Sequence, residues 1–128
     1  MKTIKQKINF KASPHDIFES LMDSKKHSAF TSSKCSIKRK VGQAFSAYDN
    51  YATGKNLQIV KDKKIVQTWR ASDWPDKIYS KITFTLTKTK TGTSLAFTQI
   101  GVPDNQYKSI SKGWYDFYWN PMKIYLEK

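Results

Sequence analysis

The sequence predicts an α+β domain in which a curved antiparallel sheet of about six to seven strands wraps around one long C-terminal helix, with two short helices after the first strand. Three observations lead to this prediction. Apolar and polar residues alternate through most of the chain, turn-forming residues separate the alternating segments, and the last segment changes to a period of three and four. Period two is typical of half-buried strands, and the longer period is typical of an amphipathic helix.

The first strand and the short helices are predicted from the opening 30 residues. The strand has an apolar face of Ile4, Ile8, Phe10 and Ala12 and a polar face of Lys5, Lys7, Asn9 and Lys11. Ser13 is suited to cap a helix that has Pro14 in its first turn and an apolar stripe formed by Ile17, Phe18, Leu21 and Met22. A second helical turn is expected over residues 25–30.

Strands and tight turns are predicted between residues 36 and 100. The alternating segments begin at Gly42 and continue over residues 51–60, 65–70, 78–86 and 95–99. Turns are expected at Asp49-Asn50, at Asp62-Lys63 and at Gly92, because these residue types tolerate turn geometry. Gly54 lies inside a predicted strand, which indicates a bulge or a bend.

The last segment predicts an amphipathic helix from about residue 104 to residue 127. Its expected apolar stripe is Tyr107, Ile110, Trp114, Phe117, Pro121 and Ile124. At about 1.5 Å per residue this helix is roughly 35 Å long and can cross a small domain. Pro121 is expected to kink it near Phe117, because the proline ring clashes with the carbonyl one turn earlier.

Composition is consistent with a single domain over residues 1–128 and a cytoplasmic location. Cys35 is the only cysteine, and no apolar run follows the charged N-terminus, so neither a disulfide framework nor a membrane span is expected. The net charge is +13, and all basic residues except Arg39 and Arg70 are lysine. Lysine is a solvated point charge without the bidentate geometry of arginine. We therefore favour a solvated surface, with an anionic partner as the alternative.

The sequence contains little that points to catalysis, so we expect that the chain is not an enzyme. His15 and His27 are expected on the surface of the short helices, and Cys35 has no histidine near it in sequence. No nucleotide-binding or hydrolase motif occurs, and no cluster of His, Cys, Asp and Glu suggests a metal. No cofactor is therefore expected.

A ligand cavity between the sheet and the helix is the candidate binding site. Aromatic side chains with a few polar groups are typical of a small-molecule pocket, and Gln67 and Gln99 share strand parity with inward-facing rings. The candidate residues are Phe45, Tyr48, Gln67, Trp69, Phe84, Phe97, Gln99, Trp114, Phe117 and Tyr118. Two roles stay open for Arg70: it could hold an anionic group, or it could pair with an acid in the loop at residues 73–76.

Several sequence motifs resemble one protein family. They are Phe30-Thr31, residues 42–49 (GQAFSAYD), residues 54–57 (GKNL), residues 65–70 (IVQTWR) with Trp74-Pro75, residues 93–95 (TSL), Thr98-Gln99, residues 101–103 (GVP), and Gly113-Trp114 with Tyr118-Trp119. Their order resembles the C-terminal domain of the activators of heat-shock protein 90 ATPase, within the START-like, birch-pollen-allergen-like SRPBCC superfamily. The resemblance implies a helix-grip fold. Asn50 departs from the glycine that the family often has there.

The resemblance leaves the function open. Eukaryotic members carry a separate N-terminal domain that docks on the chaperone, and the 128 residues contain none. The first hypothesis is a non-catalytic binding module for a small, largely hydrophobic ligand. The alternative is a co-chaperone-like activator that meets an acidic partner, such as a heat-shock protein 90 homologue, through a basic surface. Non-specific nucleic-acid binding is a third hypothesis, whereas no sequence-specific nucleic-acid recognition is expected.

Overall fold

The computed structural model describes residues 1–127 and contains one seven-stranded sheet. The strands are β1 (Lys2–Phe10), β2 (Ser36–Ile37), β3 (Ala44–Ala47), β4 (Ala52–Val60), β5 (Lys64–Ala71), β6 (Ser80–Lys88) and β7 (Thr93–Val102). Every neighbouring pair is antiparallel, in the order β1-β7-β6-β5-β4-β3-β2. The predicted curved antiparallel sheet is confirmed.

The two short helices follow β1 as predicted. They are α1 (Pro14–Met22) and α2 (Ser24–Thr31). The Ser13 side chain accepts a hydrogen bond from the Asp16 backbone N–H, and the Asp23 side chain accepts one from the Lys26 backbone N–H. These bonds satisfy donors that a helix start would otherwise leave without partners.

The C-terminal helix is interrupted rather than simply kinked. It consists of a 3₁₀ turn (Asp104–Gln106), α3 (Tyr107–Trp114), a π-helical turn (Tyr115–Trp119) and α4 (Asn120–Leu126). Pro121 follows the π turn and lacks the N–H that would bond the Phe117 carbonyl in an α-helix. The Tyr48 side chain, in the turn between β3 and β4, donates to the Phe117 carbonyl instead. The irregularity includes Phe117, as expected from Pro121.

The extra residue of the π turn changes which face of the helix is buried. Trp119 and Met122 are fully buried, whereas Phe117 is 57% exposed and Ile124 is 71% exposed. The stripe predicted from Tyr107 to Ile124 is therefore correct up to Trp114 and wrong after it. A regular period cannot anticipate the rotation that the inserted residue introduces.

The core lies between the concave face of the sheet and the C-terminal helix. Phe97 of β7 is packed against Trp114 and Trp119, with ring centroids 4.4 and 5.4 Å apart. Ile4, Ile8 and residues of α1 complete this layer, as the strand pattern predicted. Among the described helices, none combines the length and the apolar character that a membrane span requires.

Gly54 has a different role from the one expected. The register irregularity of β4 falls between Asn56 and Gln58, not at the glycine. A Cβ atom on Gly54 would lie 1.8 Å from the backbone oxygen of Thr68. The absence of a side chain is thus required by a close approach of two strands.

Candidate functional site

The space between the sheet and the C-terminal helix is filled by side chains. A cavity of about 10 Å³ remains there, no larger than a single water requires. Six of the ten candidate residues surround it: Phe45, Gln67, Trp69, Phe84, Trp114 and Tyr118. The enclosed interior therefore has no room for a small-molecule ligand.

The two inward-facing glutamines form hydrogen bonds within the protein. Gln99 accepts a bond from Trp114 Nε1 at 2.8 Å and donates one to Ser80 Oγ at 2.9 Å. Gln67 donates to Asn56 Oδ1 at 2.9 Å. Both amides are buried, as the strand parity predicted, and these hydrogen bonds within the protein supply the partners that buried polar groups need. Gln99 and Phe97 lie in the core and are not among the residues that line the small cavity.

An open cleft lies at one end of the junction between sheet and helix. It has a volume of about 340 Å³, within the range of ligand pockets. We call it the aromatic cleft, and its lining is Tyr48, Tyr51, Ala52, Trp69, Ser109, Ile110, Gly113, Trp114, Phe117 and Tyr118. The structure thus brings five candidates together here: Tyr48, Trp69, Trp114, Phe117 and Tyr118.

A left-handed turn positions one wall of the aromatic cleft. Tyr48, Asp49 and Asn50 have φ values of 51°, 52° and 73°, so the predicted turn at Asp49-Asn50 is confirmed and begins one residue earlier. This turn places the Tyr48 ring 5.7 Å from the Phe117 ring. Positive φ is uncommon for a bulky residue such as tyrosine, and the bond to the Phe117 carbonyl fixes it.

The aromatic cleft carries no charge at neutral pH. Its lining contains no Asp, Glu, His, Lys, Arg or Cys. Burial raises the pKa of Tyr48 to about 12, and burial also raises the pKa of Tyr51. The phenols therefore stay neutral, and the surface presented to a ligand is aromatic with a few hydroxyl groups.

His27 lies in the core beneath the aromatic cleft, and the prediction of a surface position was wrong. Its side chain is 6% exposed, with Nδ1 3.1 Å from the Leu21 carbonyl and Nε2 2.9 Å from the Tyr118 hydroxyl. The carbonyl requires a proton on Nδ1, so Tyr118 donates to Nε2. Desolvation lowers the pKa of His27 to about 4. Its four-residue spacing to Thr31, with Phe30 beside it, is the signal that could have predicted this position.

Arg70 bonds to loop carbonyls rather than to an acid of the loop. Its guanidinium donates to the carbonyls of Trp74 and Pro75, at 2.6 and 3.2 Å, and lies over the Tyr79 ring. It thereby ties the loop after β5 to the sheet. Arg70 Nε and Trp74 Nε1 are buried without an acceptor among the described residues. The expected ion pair with an acid of this loop is not among those found in residues 1–127.

Several cleft residues were missed at the level of sequence. Ile110, Gly113 and Phe117 lie three and four positions apart, so helical spacing could have placed Gly113 on this face. Tyr51 contacts Trp69 across the strand end, with ring centroids 6.5 Å apart, and no local pattern indicates that contact. Within residues 1–127, no three His, Cys, Asp or Glu side chains come together as metal ligands.

Known proteins are similar to this chain in sequence or in fold. The family model described as "Activator of Hsp90 ATPase homolog 1-like protein" matches residues 11–127. An "Activator of 90 kDa heat shock protein ATPase homolog" from Dictyostelium discoideum is 33% identical over 114 residues, covering 88% of this chain and 30% of the relative. Homolog 1 from Homo sapiens is 26% identical over 117 residues, covering 91% and 35%. The chain spans about a third of the length of these curated relatives.

A solved structure supports the helix-grip assignment. The crystal structure of an HSP90 activator from Plasmodium falciparum has a TM-score of 0.90 and 23% identity, and the match covers 98% of this chain and 96% of that one. At this identity the likeness concerns the fold. The helix-grip architecture and the resemblance stated from the motifs are both confirmed.

Proposed function

The chain belongs to the family of Activator of Hsp90 ATPase homolog 1-like proteins, and on this premise we propose that it is a non-catalytic, co-chaperone-like module that binds a heat-shock protein 90 homologue. The observation that carries the proposal is the family match over residues 11–127. The net charge of +13 supports it, because a basic surface speeds association with an acidic partner.

The filled interior favours a protein partner over a small-molecule cargo. Only about 10 Å³ remains in the enclosed interior, whereas ligand pockets occupy roughly 300–1,000 Å³, and the aromatic cleft that reaches this range is open to solvent. The uncharged lining of the aromatic cleft supports a non-catalytic role, since it offers no general base and no activated nucleophile. His27 is closed off from the cleft by its bonds to Leu21 and Tyr118.

The test is the ATPase rate of a purified heat-shock protein 90 homologue over a concentration series of this protein. We expect the rate to rise and then saturate. Hen lysozyme, another small basic protein, serves as the control for non-specific charge effects. An ATPase rate that does not change across the series would contradict the proposal.

A second candidate function is the binding of a small apolar ligand in the aromatic cleft. The observation that favours it is the 340 Å³ volume lined by Tyr48, Trp69, Trp114 and Phe117. The neutral phenols and the absence of charged lining residues select an uncharged, largely hydrophobic molecule. Two tryptophans in the lining provide an intrinsic fluorescence signal.

Titration with fatty acids, flavonoids and aromatic metabolites, followed by tryptophan fluorescence and NMR shifts, tests this second function. Gly113→Leu should abolish binding, because the new side chain projects into the cleft, whose nearest atom to a Gly113 Cβ is Phe117 Cδ2 at 3.7 Å. Gly113→Ala is the matched control and should retain binding. Binding that is insensitive to Gly113→Leu would place the ligand elsewhere and contradict this function.

A further inference from the structure

Charge is segregated in this fold. None of the ten Asp and Glu residues lies in a strand; all of them occupy helices, turns and loops. The strands contain Lys2, Lys5, Lys7, Lys55, Lys64, Arg70, Lys81 and Lys88. A surface that serves only solubility mixes both signs, whereas this sheet carries one sign alone.

The strand register brings several of these lysines onto the outer face of the sheet, opposite the C-terminal helix. Lys7 pairs with Ala96, which pairs with Thr85, which pairs with Lys64. Lys5 and Lys81 share this parity on β1 and β6. We call this outer side the lysine face and define it by Lys5, Lys7, Lys55, Lys64 and Lys81. At strand spacings of about 4.8 Å, neighbouring lysines of this face lie roughly 7–15 Å apart, whereas Lys7 of β1 and Lys55 of β4 are four strands apart, about 20 Å or more.

The lysine face is not neutralised from within the chain. The ion pairs found in residues 1–127 are Met1 N-terminus–Asp104, His15–Asp62, Arg39–Glu19 and Lys112–Asp116. None includes a lysine of this face. Lys5, Lys7, Lys55 and Lys81 are exposed, so their charges are available to a partner.

The centre of the lysine face carries short side chains, most of them polar. Short side chains occupy the positions between the lysines: Ala96 and Thr98 of β7 and Thr83 and Thr85 of β6. Beside them lies a shallow hollow of about 680 Å³, whose lining includes Ser46, Thr53 and Thr68, the rings of Phe45 and Tyr79, and Lys38 and Lys55. A partner surface can approach closely at such a centre while its carboxylates meet the surrounding amines.

From these observations we infer that the lysine face is the docking surface for an acidic surface of a partner protein. The inference rests on the proposed function for the identity of that partner, a heat-shock protein 90 homologue. Nucleic acid fits the face less well. The outward positions of β1, β7, β6 and β5 carry no aromatic ring for base stacking, and the exposed Tyr79 ring beside the hollow has the Arg70 guanidinium over it. Arg70, the one arginine in a strand, is bonded to loop carbonyls.

The experiment compares two triple variants that lose the same charge. Lys5→Gln/Lys7→Gln/Lys81→Gln removes three exposed lysines from the face, and Lys26→Gln/Lys108→Gln/Lys123→Gln removes three exposed lysines from α2, α3 and α4. Circular dichroism and denaturant unfolding establish that both fold. Affinities are measured for a purified heat-shock protein 90 homologue, for poly-L-glutamate and for a short DNA duplex at one salt concentration.

We expect the face variant to bind the chaperone and poly-L-glutamate about tenfold or more weakly than the parent, and the control variant to stay within about twofold. Equal losses of affinity in the two variants would show that only net charge matters and would overturn the inference. Tighter binding of the DNA duplex than of poly-L-glutamate by the parent would also overturn it. Chaperone binding that survives in the face variant overturns the inference and leaves the proposed function standing. Face-dependent binding of poly-L-glutamate without chaperone binding removes the proposed function and supports the inference. Binding of neither acidic probe by the parent overturns both.

Discussion

His27 makes the stability of the domain sensitive to acid. Its pKa is lowered to about 4 by desolvation, whereas an unfolded histidine has a pKa near 6.5. Above pH 6.5 the imidazole is neutral in the folded and in the unfolded protein, so His27 does not reduce the free energy of unfolding. As the pH falls from 6.5 toward 4, only the unfolded state takes up a proton. We expect the free energy of unfolding to drop by about 3 kcal/mol over this window.

Urea unfolding at a series of pH values measures that drop. His27→Gln should flatten the profile between pH 6.5 and 4, whatever it does to stability at pH 7. The parent protein, measured in parallel, is the control. A profile that stays steep in His27→Gln would assign the acid sensitivity to other groups.

Truncation of Trp114 should strongly destabilise the packing of the C-terminal helix against the sheet. Its side chain is 3% exposed, and its Nε1 donates to the buried Gln99 Oε1. Trp114→Ala should lower the free energy of unfolding by about 3–5 kcal/mol, through a cavity and an unsatisfied amide oxygen.

Ile124→Ala is the comparison on the same helix, because Ile124 is 71% exposed. It should cost less than about 0.5 kcal/mol by chemical denaturation. A loss for Ile124→Ala similar to that for Trp114→Ala would restore the helical stripe predicted from sequence and refute the rotation observed after Trp114.

At the scale of elements, the π turn and the β3–β4 turn stabilise each other. Tyr48→Phe removes the only side-chain donor to the Phe117 carbonyl found in the described structure, and should cost about 1 kcal/mol. Pro121→Ala restores a backbone N–H that can reach the same carbonyl. In the Pro121→Ala background, Tyr48→Phe should therefore cost less, with a coupling energy of at least about 0.5 kcal/mol. A double-mutant cycle measures this coupling, and additive losses would exclude it.

Two glycines should respond to alanine in opposite ways. Gly54→Ala places a Cβ atom 1.8 Å from the Thr68 backbone oxygen, so β4 and β5 must separate and stability should fall by more than about 2 kcal/mol. Gly113→Ala in α3 meets only Phe117 side-chain atoms, at 3.7 Å and beyond, and should stabilise the helix by about 0.5–1 kcal/mol. Melting temperatures and urea midpoints of both variants test the pair. Equal effects would contradict the assigned roles.

The elements that the sequence predicts well are those with a strong local period. Alternation predicts β1, β6 and β7, because a single face of each strand meets the core. Ser13 predicts the start of α1, because its side chain accepts a hydrogen bond at the first turn. The C-terminal helix is predicted over its whole length, but its buried face is predicted only to Trp114, since the proline leaves open whether the chain bends or inserts a residue. The aromatic cleft depends on Tyr51, Trp69 and Phe117 meeting across elements. Such a meeting depends on tertiary packing, which no local window contains.

At the scale of the whole molecule, the motifs identified the fold, whereas the balance between cavity and core could not be read from them. The rings expected to line a cavity were the right ones to place between sheet and helix. Their volumes and those of α1 and α2 decide whether space remains, and with His27 and Tyr118 directed inward little does. A prediction of inward parity, as for Gln67 and Gln99, therefore does not distinguish a ligand contact from an internal hydrogen bond.

No carboxylate lies in a strand, so the lysine face has a positive local field. That field acts on a negatively charged body while the two are still separated by solvent, so it favours encounters in which the lysine face leads. Added salt should consequently slow the bimolecular rate constant of capture far more than it changes the lifetime of the complex, which stopped-flow mixing can separate. The protein is then oriented before contact by the strands, which carry lysines and no carboxylates.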